Sequence, residues 1–565
     1  MTEQKRIVVI GGSAAGPKAA ARARRLDQDA KIILIQKDPD LSMASCGYPY
    51  YVGGFFDDRN QLLSTSGGVI RNPLYYLNAK GIEARIQTEV TEIDGKSKTV
   101  TCRNVVTNEP ELLEYDKLII ATGSIANIPN VPGKELRGIT TLKSMEDADF
   151  LRCIRDEGKI KRAVVIGGGL IGIETCEALQ LAGIETTVIE LLPQILMFLD
   201  WQLAKILENH IKSRAANVIT NNGIAQFLGE EGALTAVKLS NGTELPCELA
   251  VIAVGVRPNV DVARRAGLKI GQTGGIVVDR YMQTSDPDIY AVGDCTEQHH
   301  LITHRETYAP LGDLANLEGR VAGENAVLGN VVTFPGTVQS GICKIFDYAA
   351  GSTGLSEAKA RELDYDDITS VVIAGTDKPG FMKGQMLVSK MVVDKSQRII
   401  GFQCIGQGDV SKQVAQAAIA IQGNMTVKDL VNLDLPYAPP FTLAIDNFIA
   451  CAHVMENKLK GRFKGISAEV VKEKVDRRDD IYLLDVRGPD EFKVTRVGMG
   501  ETLIPLGALR SKLNELPPDR DKEIIVYCKT SLRAYEAALV LESQGWKNVK
   551  VLEGSITAWP FAKEK

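Results

Sequence analysis

Short, unbroken apolar runs punctuate this chain, separated by longer stretches in which apolar residues recur at helical spacing. Such runs lie in Ile7–Ile10, Lys31–Ile35 and Arg162–Ile166, and a shorter one, Val188–Ile189, lies in Thr186–Glu190. Apolar residues at consecutive rather than alternate positions predict strands of a parallel sheet covered on both faces. The first run ends in a glycine turn, Gly11–Gly16, and leads into a helix predicted from Pro17 to Arg25, with the proline tolerated in the opening turn. The third run repeats the design with Gly167–Gly172. The pattern therefore predicts two strand–turn–helix–strand units, too far apart to be turns of a solenoid. After about residue 331 it becomes mixed strands and helices, running to about 455. The polar stretch Glu456–Lys464 reads as a linker. A separate unit follows, with strands predicted at Ile481–Val486 and Glu523–Tyr527.

Composition narrows the classes. A chain of 565 residues predicts three or four domains. The formal net charge of -5, with Lys and Arg dispersed, offers no footprint for nucleic acid. No apolar run is long enough to span a membrane, so no membrane partner is expected. Met1–Lys5 lead directly into the first strand and leave no room for a signal peptide, which makes the cytoplasm the expected location. The ten cysteines are scattered, with no CxxC and no metal-ligand spacing. Most should be buried thiols acting as small hydrophobes, and no metal is predicted.

Two of the glycine turns carry chemistry. In the first, the backbone must turn at Gly11, approach a pyrophosphate at Ser13 and pack helix on strand at Gly16. The helix N-terminus then offers free N–H groups to phosphate. Ser13 replaces the usual middle glycine. The second turn has all three, Gly167, Gly169 and Gly172, and Glu190 ends the next strand where an acid binds the adenosine ribose hydroxyls and repels a 2′-phosphate. That favours NADH over NADPH. Gln36 holds the matching place in the first unit. Two nucleotide sites in one chain suggest a flavin relay between NADH and another acceptor.

Four blocks, in order and spacing, then support a resemblance. They are the second fingerprint, Leu118–Ser124, Ala253–Asn259 and Thr284–Asp294, and over residues 1–455 the chain resembles the flavoprotein pyridine nucleotide-disulfide oxidoreductases. The resemblance implies that Gly11, Gly12, Ser13, Ala14, Ala15, Gly16, Gln36, Lys37, Ser45, Val90, Ala121, Thr122, Gly123, Asp294 and Ala309 bind FAD. It assigns Gly167, Gly169, Ile171, Gly172, Glu174, Glu190 and Gly255 to NADH, with Glu174 near the nicotinamide ribose. The segment Ser42–Tyr50 holds one cysteine, Cys46, without the partner of a CxxxxC pair. That is similar to the single-cysteine branch: coenzyme A disulfide reductases, persulfide reductases, and NADH oxidases or peroxidases. A single thiolate beside the flavin can attack a disulfide or persulfide. Gly341–Asp347 and Thr353–Ser356 resemble that branch's dimerisation domain, implying a homodimer in which the partner's Tyr437 caps the active cysteine and gives a proton to a leaving sulfur. A second tyrosine common in the family is missing from Pro379–Gly384, where Phe381 stands. Arg22 is placed to bind the phosphate of coenzyme A, or else lies on a solvated helix face.

From residue 466 the chain resembles a rhodanese domain. Ile481–Arg487 matches its strand signature, and Cys528 and Arg533 lie five apart after a strand. Such a loop points successive backbone N–H groups at the cysteine sulfur and, with Arg533, stabilises a thiolate or persulfide. Phosphatase loops are similar but carry a His where Tyr527 stands. Arg496–Pro505 departs from the family's Gly-His-Ile-Pro-Gly run.

The expected fold is α/β: two Rossmann-like domains (FAD, 1–125 and 246–330; NADH, 126–245), an α+β dimerisation domain (331–455), a linker (456–465) and an α/β rhodanese domain (466–565). The expected activity is NADH- and FAD-dependent reduction of coenzyme A persulfide or polysulfide at Cys46, with Cys528 handling sulfane sulfur. Fusion raises the effective concentration of one site for the other. Coenzyme A disulfide reduction, NADH oxidase or peroxidase activity, and a sulfur carrier are the alternatives. Cys295, His299, His300 and His304 read as a polar loop near the flavin rather than a metal site, and His453 as a core or interface residue. Tyr48, Tyr50 and Tyr51 either shape the Cys46 pocket or simply pack.

Overall fold

A computed structural model describes residues 4–365 and 367–565. It forms two compact units, the chain up to Pro193 with Ala216–Thr337, and Gln194–Ala215 with Val338–Lys565.

The first unit holds two five-stranded parallel sheets. In one, Arg6–Ile10 is central, paired with Lys31–Ile35 on one side and Lys117–Ile120 on the other. In the other, Arg162–Ile166 lies between Glu185–Ile189 and Leu249–Ile252. Consecutive burial explains the parallel form: Ile7, Val8 and Val9 are at most 1% exposed, because both faces are covered. In each sheet the chain leaves the central strand to one side and later returns on the other. That strand reversal opens a crevice at the strand C-termini, and both glycine turns lie there.

Two expected boundaries need correction here. Leu249–Ile252 pairs with Arg162–Ile166, so the second sheet holds the chain past 245. It returns to the first sheet's side only where Val256–Pro258 pairs with Ser124–Ala126. Within the expected NADH domain, Gln194–Ala215 belongs instead to the second compact unit.

In that unit a five-stranded antiparallel sheet runs Gly341–Ile345, Tyr348–Gly354, Ile399–Gly406, Met386–Val393, Thr369–Thr376. A five-stranded parallel sheet runs Gly465–Ile466, Val549–Leu552, Glu523–Tyr527, Ile481–Asp485, Thr502–Leu503. The helix Trp201–Ser213 is tied to the C-terminal segment: Gln202 donates to the Ala558 carbonyl at 2.7 Å, Asn209 to that of Pro560 at 2.7 Å. Lys390 is buried between Asp200 (3.0 Å) and Glu357 (2.9 Å). Burial alone would raise the Glu357 carboxyl, but the Lys390 ammonium, helped by Ser370 and Arg361, holds it down to about 2.

The stretch expected as a linker is ordered. The helix Asn447–Leu459 runs through Glu456, and Phe463 is 5% exposed with its ring 5.7 Å from that of Tyr535. Four of its five charges are paired among the described residues: Glu456 with Lys460, Lys458 with Glu553, Lys464 with Glu542. The polarity of this stretch reflects ion pairs rather than a mobile tether. Among the described residues no helix is long and apolar enough to cross a membrane.

Candidate active sites

The glycine turns are tight for steric reasons. Gly11 has φ +106°, and a Cβ there would lie 2.0 Å from the Ala121 carbonyl oxygen; one at Gly16 would lie 1.9 Å from that of Gly11. In the second turn a Cβ at Gly172 would lie 1.9 Å from the Gly167 carbonyl oxygen, whereas one at Gly169 meets nothing within 4 Å. Close packing on one side and open space on the other fit a cradle for pyrophosphate. Neither following helix, Ala15–Leu26 or Leu170–Leu181, has an acid in its first turn to repel it. The ribose-position residues also hold their turns: Gln36 accepts the Gly12 N–H at 2.8 Å, and Glu190 accepts the N–H groups of Gly168 (2.7 Å) and Leu192 (2.8 Å). The residues present therefore fit FAD at the first turn and a pyridine nucleotide at the second.

Other expected contacts are spread more widely. Asp294 accepts from the Ser124 hydroxyl at 2.8 Å, and Thr122 donates to the Asn259 carbonyl at 2.6 Å. Ala309 is buried with its N–H donated to Gln298, while Lys37 is drawn to Glu89 at 2.9 Å. Val90 is half-buried in the strand Thr88–Asp94, Ser45 and Ile171 are exposed, and the Gly255 carbonyl accepts the Asn127 N–H.

Cys46 sits in the single helical turn Ser45–Gly47 and is exposed, unlike Cys295, which is fully buried beside Asp294. The N-terminus of the helix Gly312–Leu328 faces it: a Cβ on Gly312 would lie 3.6 Å from Cys46 Sγ. That positive helix end favours a thiolate. The side chains act oppositely. Although open to the pocket, the thiol is walled in, and this desolvation raises its pKa, as do the Glu174 and Asp294 carboxylates, with Lys143 opposing. The expected resting thiolate is thus not imposed by neighbouring charge. Glu174 accepts from the Tyr50 hydroxyl at 3.2 Å, and burial pushes its carboxyl up to about 7.

Sequence reading missed Gly312, Lys143 and Glu318. Lys143 donates to Ser124 at 2.8 Å; its only sequence signal is the capping box Ser144–Asp147 just after it. Glu318, fully buried, accepts the Gly293 N–H at 2.6 Å and so braces the turn before Asp294. Arg22, expected either to bind the phosphate of coenzyme A or to lie on a solvated helix face, pairs its guanidinium with Glu324 at 2.5 Å, both largely shielded. His300 accepts from the N–H groups of Ile302 and Thr303, and no cluster of His, Cys, Asp or Glu among the described residues could hold a metal. His453 bonds to the Val431 carbonyl at 2.8 Å.

Cys528 lies at the C-terminal end of the strand Glu523–Tyr527, 1% exposed, under the N-terminus of the helix Leu532–Ser543. Ser531, at φ +85°, turns its N–H to Cys528 Sγ at 3.2 Å. The expected run of donors is corrected to this one N–H and the more distant Ser555 hydroxyl at 3.9 Å among the described residues. Arg533 makes two bonds to Glu491, at 2.7 and 2.8 Å, and also neighbours the Cys528 thiol. Tyr527 donates to Glu501 at 3.0 Å, and Glu501 also accepts from Gly498 and Met499. That carboxylate closes the loop where the sequence departs from the rhodanese run. Tyr437 is 52% exposed in the second unit.

Comparison with known proteins agrees with this geometry. The pyridine nucleotide-disulphide oxidoreductase pattern matches residues 5–309, its dimerisation domain 341–448, and a rhodanese-like domain 467–561. The NAD(P)H coenzyme A polysulfide/persulfide reductase of Pyrococcus horikoshii is 33% identical over 80% of this chain and 99% of its own. Among solved structures, a NAD-dependent persulfide reductase from A. fulgidus is 40% identical, with TM-score 0.93 over 98% of this chain and 100% of that one. The reduced CoADR-RHD of Bacillus anthracis is 33% identical, with TM-score 0.90 and 98% of both chains covered. The chain belongs to the pyridine nucleotide-disulphide oxidoreductase family, as a flavoprotein using FAD and NAD(P)H that carries the family's dimerisation domain and a C-terminal rhodanese-like domain.

Proposed function

We propose that this enzyme reduces a low-molecular-weight persulfide, coenzyme A persulfide or a polysulfide, with NADH, releasing sulfide and thiol. The observation that carries this is the exposed thiol of Cys46 at a helix N-terminus; the other exposed cysteine among the described residues, Cys153, instead bonds to Glu157. Bound FAD supplies two electrons drawn from NADH. Cys46 thiolate attacks the thiol-bearing sulfur of R–S–SH, forming Cys46–S–S–R and expelling HS⁻; two electrons then cleave that disulfide to two thiolates. Per turnover, R–S–SH, NADH and H⁺ give R–SH, H₂S and NAD⁺. The relatives that act on polysulfide or persulfide support this choice of substrate.

The Glu190 carboxylate, bonded to the second glycine turn, supports NADH over NADPH because an acid there would repel a 2′-phosphate. A homodimer is supported by the dimerisation domain and by the exposed Tyr437, Phe441 and Phe381 in that region. In it Tyr437 of the partner serves the Cys46 sulfur. Cys528 takes up sulfane sulfur for transfer to coenzyme A. The test is anaerobic NADH oxidation with coenzyme A persulfide, polysulfide and coenzyme A disulfide side by side. Preference for a sulfane substrate is expected; turnover of the disulfide alone would overturn the reading.

A further inference from the structure

The Cys528 loop carries a charge arrangement that selects its sulfur donor. Arg533, a cation beside the thiol, has both terminal nitrogens bonded to the two oxygens of Glu491, at 2.7 and 2.8 Å. The Gly488 N–H, at 3.2 Å, helps fix that carboxylate at the start of the helix Pro489–Val494. A guanidinium bound on both prongs has little charge left for a ligand. Glu491 is held down to about 2, chiefly by Arg533, so the pair stays ionised at physiological pH. Lys529, exposed next to Cys528, has no ion-pair partner among the described residues. The loop thus offers one uncompensated side-chain cation. Its flanks are apolar: Leu532, beside Ser531, is 66% exposed, and Val494, at the end of the Glu491 helix, is 71% exposed.

We infer that Glu491, by neutralising Arg533, makes the Cys528 site selective for the persulfide of an organic thiol, whose reacting R–S–SH group is uncharged, and against a compact dianion such as thiosulfate. The one free cation is matched by the Cys528 thiolate, so a neutral R–S–SH group adds no unbalanced charge at the sulfur, whereas thiosulfate and its sulfite leaving group bring two charges that have no partner. The apolar flanks suit an organic arm R better than a sulfonate. In the transfer, Cys528 thiolate attacks the terminal sulfur of R–S–SH. The donor S–S bond breaks as the new one forms, R–S⁻ leaves, and the proton stays on the terminal sulfur as Cys528–S–SH. No net oxidation or reduction occurs.

This deepens the proposed function and rests on it for Cys528 as a sulfur acceptor. The test is persulfide loading of Cys528 in the full-length holoenzyme, followed by mass spectrometry with 2-hydroxyethyl persulfide or thiosulfate as donor and Cys528→Ser as blank. The parent should load from the persulfide about tenfold faster or more. Glu491→Gln frees Arg533 and should raise the thiosulfate rate about tenfold while changing the persulfide rate less than about threefold. Leu532→Arg, at an exposed position outside the ion pair, should move the ratio the same way and decides the matter if Glu491→Gln does not fold. Equal loading by both donors in the parent, or a ratio unmoved by the folded variants, would overturn the inference. NADH-dependent sulfide release is read separately at Cys46, so failure of the proposed reduction shows there and not in this ratio.

Discussion

Cys46 and Cys528 are both set against the N-terminus of a helix, but they acquire that position differently. Cys528 is followed within a few residues by its own helix, and Ser531 supplies the N–H that reaches its sulfur. Cys46 lies in an isolated turn and is faced by a helix that begins far along the chain at Gly312. Cys528 is buried beside a fixed Arg–Glu pair; Cys46 is exposed and surrounded by the charged side chains of Glu174, Asp294 and Lys143. A site built to pass sulfur without redox change can be closed and electrostatically settled. One that accepts electrons and protons must open onto two nucleotides and a substrate.

Several substitutions would break or sharpen this contrast. Cys46→Ser should cost roughly 10³-fold or more in NADH-dependent sulfide release while retaining the flavin spectrum. Cys528→Ser should leave reduction of preformed persulfide within about threefold, because the two thiols act in separate steps; a loss comparable to that of Cys46→Ser would mean one site, not two. Next in size, Lys390→Met strands Asp200 and Glu357 as buried charges and should destabilise the second unit by about 3–5 kcal/mol. All three tryptophans, Trp201, Trp546 and Trp559, lie in that unit, so urea unfolding read by their fluorescence should shift while flavin absorbance changes less.

Acid should act on the same cluster. Glu357 is lowered from an ordinary 4.5 to about 2, so its contribution is full above about pH 4.5 and is lost as the pH falls toward 2. Tryptophan-monitored stability should fall across that window and not above it, and should do so less in Glu357→Gln. The smallest effect concerns Cys46 itself. Because the Glu174 carboxylate raises the thiol, Glu174→Gln should move the pH profile of Cys46 alkylation to lower pH, by about one unit or less. A shift to higher pH would show that Glu174 does not bear on the thiol as described.

Much of this fold was readable because its information is local. Ile7–Ile10 and Arg162–Ile166 announce parallel strands by consecutive apolar residues, and the turns after them need glycine for reasons visible in six residues of sequence. Cys528 and Arg533 are equally local. The failures are non-local. Leu249–Ile252 reads as a strand, but nothing in it says which sheet it joins. Glu456–Lys464 reads as a linker because its charges are visible and their partners, such as Glu553 and Glu542, are not. The partners of Arg22 and Arg533, Glu324 and Glu491, lie far from them in the chain and carry no local signal. The helix end facing Cys46 is of the same kind: Gly312 gives no sign in the sequence that it faces a thiol.

The most direct test of the central claim is the stoichiometry of sulfide released to NADH consumed, measured anaerobically with coenzyme A persulfide on the parent and on Cys46→Ser. The reaction balance requires one sulfide per NADH in the parent and none above background in the variant. NADH consumption without sulfide, or sulfide release that survives the loss of Cys46, would contradict it.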